Sequence, residues 1–300
     1  MNEDYSNGSA IQAITRKRPV FRILFEITVF HTDRRKVNRA IKNAFKEVKR
    51  IEKLLSAERR ENEISAINFN AGKKAIRVSS EMMEIIRRAL AISKRIKGAF
   101  DITFAPLKRL WKFDEEFDPR PPRVSEVAKM LPLIDYCNVV VNKRCCSIML
   151  KKKDMEIDVS GLAKGYAIDR VVVVLRREGL RDFRIKIGHS FLVSSRMFDG
   201  RRLKPWEVSL PDPRNVLRRK SSLLWLRLPH VVALFTSWDR ERYFIYKRKR
   251  YHHIMDPKTG FPAELCSSVS VVTGEVIEAD MWVIVIFVMG RDKGLKIFNV

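Results

Sequence analysis

The 300-residue chain is predicted to be an α+β protein. Long helical periodicities fall in its first half, short strand-like runs crowd its second half, and the two do not alternate as they would in a βαβ chain. Residues Phe21 to Phe30, rich in Ile, Phe and Val, open as a strand. Val37, Ile41, Ala44 or Phe45, Val48, Ile51 and Leu55 then recur at steps of three and four, one apolar stripe on a helix of about five turns. A second helix starts near Ser80, a suitable N-cap, carries Met83, Ile86 and Leu90 on one face, and ends at Lys97-Gly98. From Phe113 to Pro132 the composition turns to Asp, Glu, Arg and Pro, which reads as an exposed connection and not a core element. Cys137 to Asn142 and Cys146 to Lys151 flank an Asn-Lys-Arg turn and predict a hairpin. Ala163 to Arg177 has helical periodicity, with Gly179 as its stop. Strands are expected at 183–187, 206–210, 223–228, 231–235, 243–246 and 268–272.

Composition narrows the class of protein. Hydrophobic residues at 46% and charged ones at 32% fit a globular chain, and no apolar run approaches the roughly 18 residues of a membrane span. The N-terminus is polar, lacks an apolar h-region and has no cysteine placed for lipid attachment, so a cytoplasmic protein is expected if the chain is complete at that end. Residues 1–18 read as a flexible segment, 19–300 as one domain, with a possible lobe connection at 114–132. Cys137, Cys145, Cys146 and Cys266 show no metal or redox spacing and are expected as buried free thiols. A net charge of +25 would attract polyanions, but the basic residues are scattered and no aromatic-interleaved stripe accompanies them, which argues against nucleic acid as the partner.

Chemistry concentrates in three places. In DVSGLAKGYAID, Asp158 to Asp169, a strand end runs through Ser160-Gly161 into a helix whose first N–H groups suit phosphate. Lys164 adds a cation there and Gly165 permits close approach. Taken alone, the same spacing also fits an ordinary capped helix with a surface lysine. YHHIMDPKTGFP, Tyr251 to Pro262, packs two histidines, an aspartate and a Pro-Lys-Thr-Gly turn into one short stretch. The third is Ala279-Asp280, at the entry to a very apolar stretch. His253 is the stronger functional candidate of the pair, and His252 is expected at the surface. Trp111 and Trp206 are expected to pack in the core.

In this order the clusters resemble the ApbE-like flavin transferases, and further boxes extend the likeness. These are LLSAERRENEISAIN (Leu54 to Asn68), GAFDITFAPLKRLWKF (Gly98 to Phe113), KPWEVSLPDP (Lys204 to Pro213) and TSWDRERYF (Thr236 to Phe244). The resemblance implies an α+β fold of mixed, mostly antiparallel sheets with packed helices in two intimately associated lobes. It implies transfer of FMN from FAD to a threonine of an acceptor flavoprotein, with Mg²⁺ on the pyrophosphate and AMP as leaving group. By position it assigns catalysis to His253 and Lys164. The cofactor would be bound by Asn68, Asp101, Thr103, Lys164, Asp169, Ser237 and His253, and the metal by the Ala163 carbonyl and Asp280. Members of the family are often periplasmic or membrane-anchored.

Several positions depart from the family pattern. One helical turn after Asp280, where the family has a threonine ligand, stands Ile284, which has no donor oxygen. Trp238 replaces a glycine, His189 stands in place of the second of a glycine pair, and Glu58 takes a place where an aromatic is expected. These changes keep two alternatives open beside the transferase: a degenerate relative that binds flavin without catalysis, and a polyanion-binding protein on the same fold.

Overall fold

The computed structural model describes residues 11–56, 61–113, 120–188, 190–193, 197–198, 203–214, 222–228 and 232–297. The chain begins with β1 (Gln12–Val20), β2 (Ile23–His31), α1 (Arg34–Leu55), α2 (Glu63–Phe69), β3 (Ile76–Arg77) and α3 (Ser80–Arg95). It continues through α4 (Ala105–Trp111), α5 (Val124–Met130), β4 (Val139–Asn142), β5 (Ser147–Leu150), α6 (Ser160–Arg177), β6 (Phe183–Ile187) and β7 (Ser190–Val193). Then follow β8 (Met197–Phe198), β9 (Leu203–Lys204), β10 (Trp206–Pro211), β11 (Ser222–Leu228), β12 (Val232–Trp238), β13 (Tyr243–Tyr246), β14 (Lys249–His252), β15 (Ser268–Thr273) and α7 (Val276–Lys296). The fold is α+β, and the β1–β2, β2–β6, β6–β7 and β7–β12 pairings are antiparallel. The chain divides into two compact units, residues 1–52, 164–235 and 271–279 in one, and 53–163, 236–270 and 280–300 in the other.

The first unit is organised by a six-stranded sheet of order β1-β2-β6-β7-β12-β15. In the β2–β6 pair, Phe25 faces Ile187, Ile27 faces Ile185 and Val29 faces Phe183, and all six side chains are buried. Helix α1 lays the expected stripe against this core: Val37, Ile41, Ala44, Phe45 and Val48 are buried, and Phe45 meets Phe25 edge-on at 6.0 Å. Polar links tie α1 to α6, with Arg170 donating to Glu47 Oε1 at 3.0 Å and Asn43 to Glu178 Oε1 at 3.1 Å. Gly179 ends α6 in the left-handed region at φ 71°, and Leu180 N closes back on Leu175 O.

The second unit contains the β3-β5-β4 sheet and an aromatic cluster around Trp111. Phe113 stacks on the Trp111 indole at 5.6 Å, Tyr251 and Phe261 approach it at 5.6 and 5.5 Å, and its Nε1–H donates to Gly260 O at 2.9 Å. That bond holds the turn after the histidine pair. Gly260 has φ 74°, and a β-carbon on it would collide with Val127. Trp111 and Trp206 are both buried, as expected.

Three expectations are corrected. Residues 12–18, placed in a flexible N-terminal segment, belong to β1, which pairs with β2 along its full length. The signal was weak because β1 is an edge strand that buries only Ile14 and Val20 and carries Pro19, a residue edges tolerate. The 113–132 stretch is not wholly a connection. It contains α5, whose N-terminal turn closes through Glu126 Oε2 accepting from Arg123 N and whose Val127 is buried beside Leu107 and Trp111. The cysteines are free but not buried: Cys137 and Cys145 are exposed, Cys146 and Cys266 half-buried.

Candidate active site

The start of α6 is set by a buried carboxylate. Asp158, 2% exposed, accepts from Ser160 N through Oδ1 at 2.7 Å and from Lys108 Nζ through Oδ2 at 2.7 Å, while Lys108 also reaches Ser160 Oγ at 3.3 Å. One of the helix-end donors expected to meet phosphate is therefore already satisfied internally. Lys108 lies 50 residues before its partner, and nothing in the local sequence pairs the two. Asn68 clamps the approach to this turn, donating Nδ2 to Ile157 O at 3.0 Å and accepting from Ile157 N at 2.8 Å. Its amide thus fixes backbone next to the α6 turn.

Asp101 and Thr103 form a closed support. Asp101 Oδ1 accepts from Thr103 N and Oγ1 at 2.8 and 2.7 Å, its Oδ2 accepts from Tyr136 N at 2.9 Å, and Thr103 Oγ1 accepts from Asp135 N at 2.9 Å. Burial pushes the Asp101 carboxyl up, against the lowering effect of those hydrogen bonds. This network holds the 101–104 and 135–136 backbones together.

The two histidines differ sharply. His252 is 6% exposed, which corrects its expected surface place. Its Nε2 lies 2.8 Å from Ala263 O and its Nδ1 accepts from Ile254 N at 3.3 Å, so the ring is neutral with the proton on Nε2. Burial lowers its pKa in agreement, and Phe287 packs edge-on at 5.5 Å. Half-buried His253 places Nδ1 at 3.2 Å from Arg242 O. A carbonyl can only accept, so Nδ1 carries a proton.

Ser237 and Trp238 end β12, 7% and 9% exposed. Next to them Asp239 N donates to Ser267 O at 3.1 Å, and Arg250 donates to Asp239 Oδ2 at 2.8 Å. Asp280 and Ala163 are each 2% exposed. Ile284, one turn beyond Asp280, brings its Cδ1 to 3.5 Å from where a Gly161 β-carbon would stand, so this part of α7 packs on the first turn of α6. Lys164 Nζ lies 5.5 Å from the Phe235 ring centre, and Asp169 accepts from Val276 N and Ile277 N at the start of α7. Lys164 and Asp169 belong to the first unit; Asn68, Asp101, Thr103, Ala163, Ser237, His253 and Asp280 belong to the second. His189 and Glu58 lie outside the described residues.

Among the described residues no group of three or more His, Cys, Asp or Glu side chains could hold a metal. The donors that the resemblance implies are one buried carboxylate, Asp280, and the Ala163 carbonyl, which as a helix acceptor keeps a second lone pair. Such a set fits Mg²⁺, which takes few protein oxygens and completes its shell with substrate phosphate and water. It does not fit a metal held by protein alone. Nor does any helix among the described residues have the length and apolarity to cross a membrane.

A family model described as "ApbE family" matches residues 21–300. A protein of Klebsiella pneumoniae (strain 342) named FAD:protein FMN transferase is 30% identical over 251 residues, 83% of this chain and 75% of that protein. One of the same name from Treponema pallidum (strain Nichols) is 29% identical over 277 residues, 88% of this chain and 75% of that one. Among solved structures, the ApbE protein of Thermotoga maritima superposes with a TM-score of 0.85 at 28% identity, covering 96% of this chain and 91% of its own. The apo flavinyl transferase ApbE of Pseudomonas stutzeri gives a TM-score of 0.82 at 21% identity, over 97% and 89% of the two chains, a likeness of fold.

Proposed function

Since the chain belongs to the ApbE family, we propose that it is an FAD:protein FMN transferase that moves FMN from FAD to a threonine hydroxyl of an acceptor protein and releases AMP. The observation that carries this is the buried Asp280 carboxylate on a helix whose next turn, at Ile284, packs on the first turn of α6. The threonine Oγ attacks the FMN-side phosphorus, a new O–P bond forms, the bridging P–O bond breaks, and AMP leaves with that electron pair. His253, its ring oriented by the Nδ1 contact to Arg242 O, takes the hydroxyl proton. Lys164 offsets negative charge on the phosphates. Asn68, Asp101 and Thr103 fix the backbone walls of the flavin site and Ser237 completes it, whereas the two Asp169 carboxylate oxygens accept from the start of α7. Asp280 and the Ala163 carbonyl would hold a Mg²⁺ ion, which would supply charge neutralisation for the pyrophosphate.

A second reading is favoured by two residues. Ile284 gives the metal no oxygen, and the Trp238 indole stands where backbone could otherwise approach a ligand closely, so the chain would bind flavin without turnover. Incubating the purified protein with FAD, Mg²⁺ and a peptide bearing an acceptor threonine separates the two. AMP together with a fluorescent, covalently flavinylated peptide supports the transferase. Bound FAD with no product at any Mg²⁺ concentration supports the flavin-binding relative.

A further inference from the structure

The first N–H groups of α7 have no intrahelical partner, and two of them go to one distant side chain. Val276 N donates to Asp169 Oδ1 at 3.1 Å and Ile277 N to Oδ2 at 2.9 Å, from a residue 107 positions earlier in the chain. The carboxylate also stands at the positive end of the helix dipole. A cap supplied by the preceding residue only starts a helix. A bidentate clamp from another helix fixes the rotation and height of the turn it holds, because both N–H directions must be met at once. Further along α7, Met281, Val283, Val285, Phe287 and Val288 are buried by apolar packing, which is non-directional.

Asp280 comes three residues after Ile277 and four after Val276, within one turn of the clamp. The clamp originates on α6, the helix that also carries Ala163. We infer that Asp169 is a positioning residue that holds the Asp280 carboxylate in place for the metal through the N-terminus of α7. The inference rests on the transferase assignment. It gives Asp169 a task other than flavin contact.

The test is Mn²⁺ binding in place of Mg²⁺, followed by electron paramagnetic resonance on the full chain at saturating FAD. Asp169→Asn, which loses the charge and one acceptor, is expected to weaken Mn²⁺ by about 10–100-fold, the usual effect of removing an outer-shell partner, with FAD affinity in the absence of metal unchanged. Asp169→Glu, which keeps the carboxylate but displaces it, carries the same comparison if the Asn variant does not fold. Arg170→Ala is the structural control: it breaks the pair with Glu47 and should lower thermal stability without changing Mn²⁺ affinity. Unchanged Mn²⁺ binding in the Asp169 variants, or an equal loss in Arg170→Ala, overturns the inference while leaving the transferase standing. Wild-type protein that binds FAD but no Mn²⁺ overturns both.

Discussion

The turn that leads into α6 and the second turn of α7 each hold a carboxylate that is 2% exposed, and their neighbours in the chain differ. Asp158 is answered by a lysine and a helix-end N–H, a closed arrangement that defines how α6 begins. Asp280 is followed one turn later by Ile284, whose carbon-only side chain packs toward Gly161. The first carboxylate is built to hold structure. The second is the carboxylate that the proposed function assigns to the metal, and Ile284 adds no oxygen one turn after it.

Breaking that contrast from the α7 side gives the largest effect. Asp280→Ala should cut FMN transfer by about 100-fold or more, since a metal's contribution to a phosphoryl transition state amounts to several kcal/mol; AMP release measures it, and an intact melting transition confirms the fold. On the α6 side, Lys108→Met leaves the buried Asp158 carboxylate without its half-buried cation and should destabilise the protein by about 2 kcal/mol in urea unfolding. Ile284→Thr sharpens the contrast instead: restoring an oxygen should lower the Mg²⁺ needed for half-maximal transfer by about tenfold. The lost packing should cost about 1 kcal/mol.

The smallest effect lies outside both turns. Arg50 first, and then Arg170, hold the Glu47 carboxyl down from 4.5 to about 2 against the opposing effect of burial. The folded-state pKa is the depressed one, so this stabilisation is fully present above about 4.5 and is lost as pH falls toward about 2. Melting temperature followed across that window should fall less steeply in Glu47→Gln than in the wild type.

Long elements with a regular period were legible from the residues alone. The α1 stripe is buried from Val37 to Leu55, α6 stops at Gly179, and β4 and β5 pair as the expected hairpin. Short elements were not. Helices α2, α4 and α5 have seven residues each, too few to show a period, and helices of that length depend on tertiary packing such as Val127 against Trp111. The candidate site was legible as a set of residues but not as a set of tasks. Only the folded contacts separate His252, which uses both ring nitrogens on backbone, from His253, or connect Asp158 with Lys108 and Asp169 with the start of α7. Such long-range pairs leave no trace in local spacing.

Mass spectrometry of an acceptor-threonine peptide after incubation with the protein, FAD and Mg²⁺ tests the transferase most directly. One FMN unit on the threonine, matched by AMP in solution and absent with Asp280→Ala, is the expected result. An unmodified peptide in the presence of bound FAD and excess Mg²⁺ would contradict it and leave a flavin-binding protein without transfer chemistry.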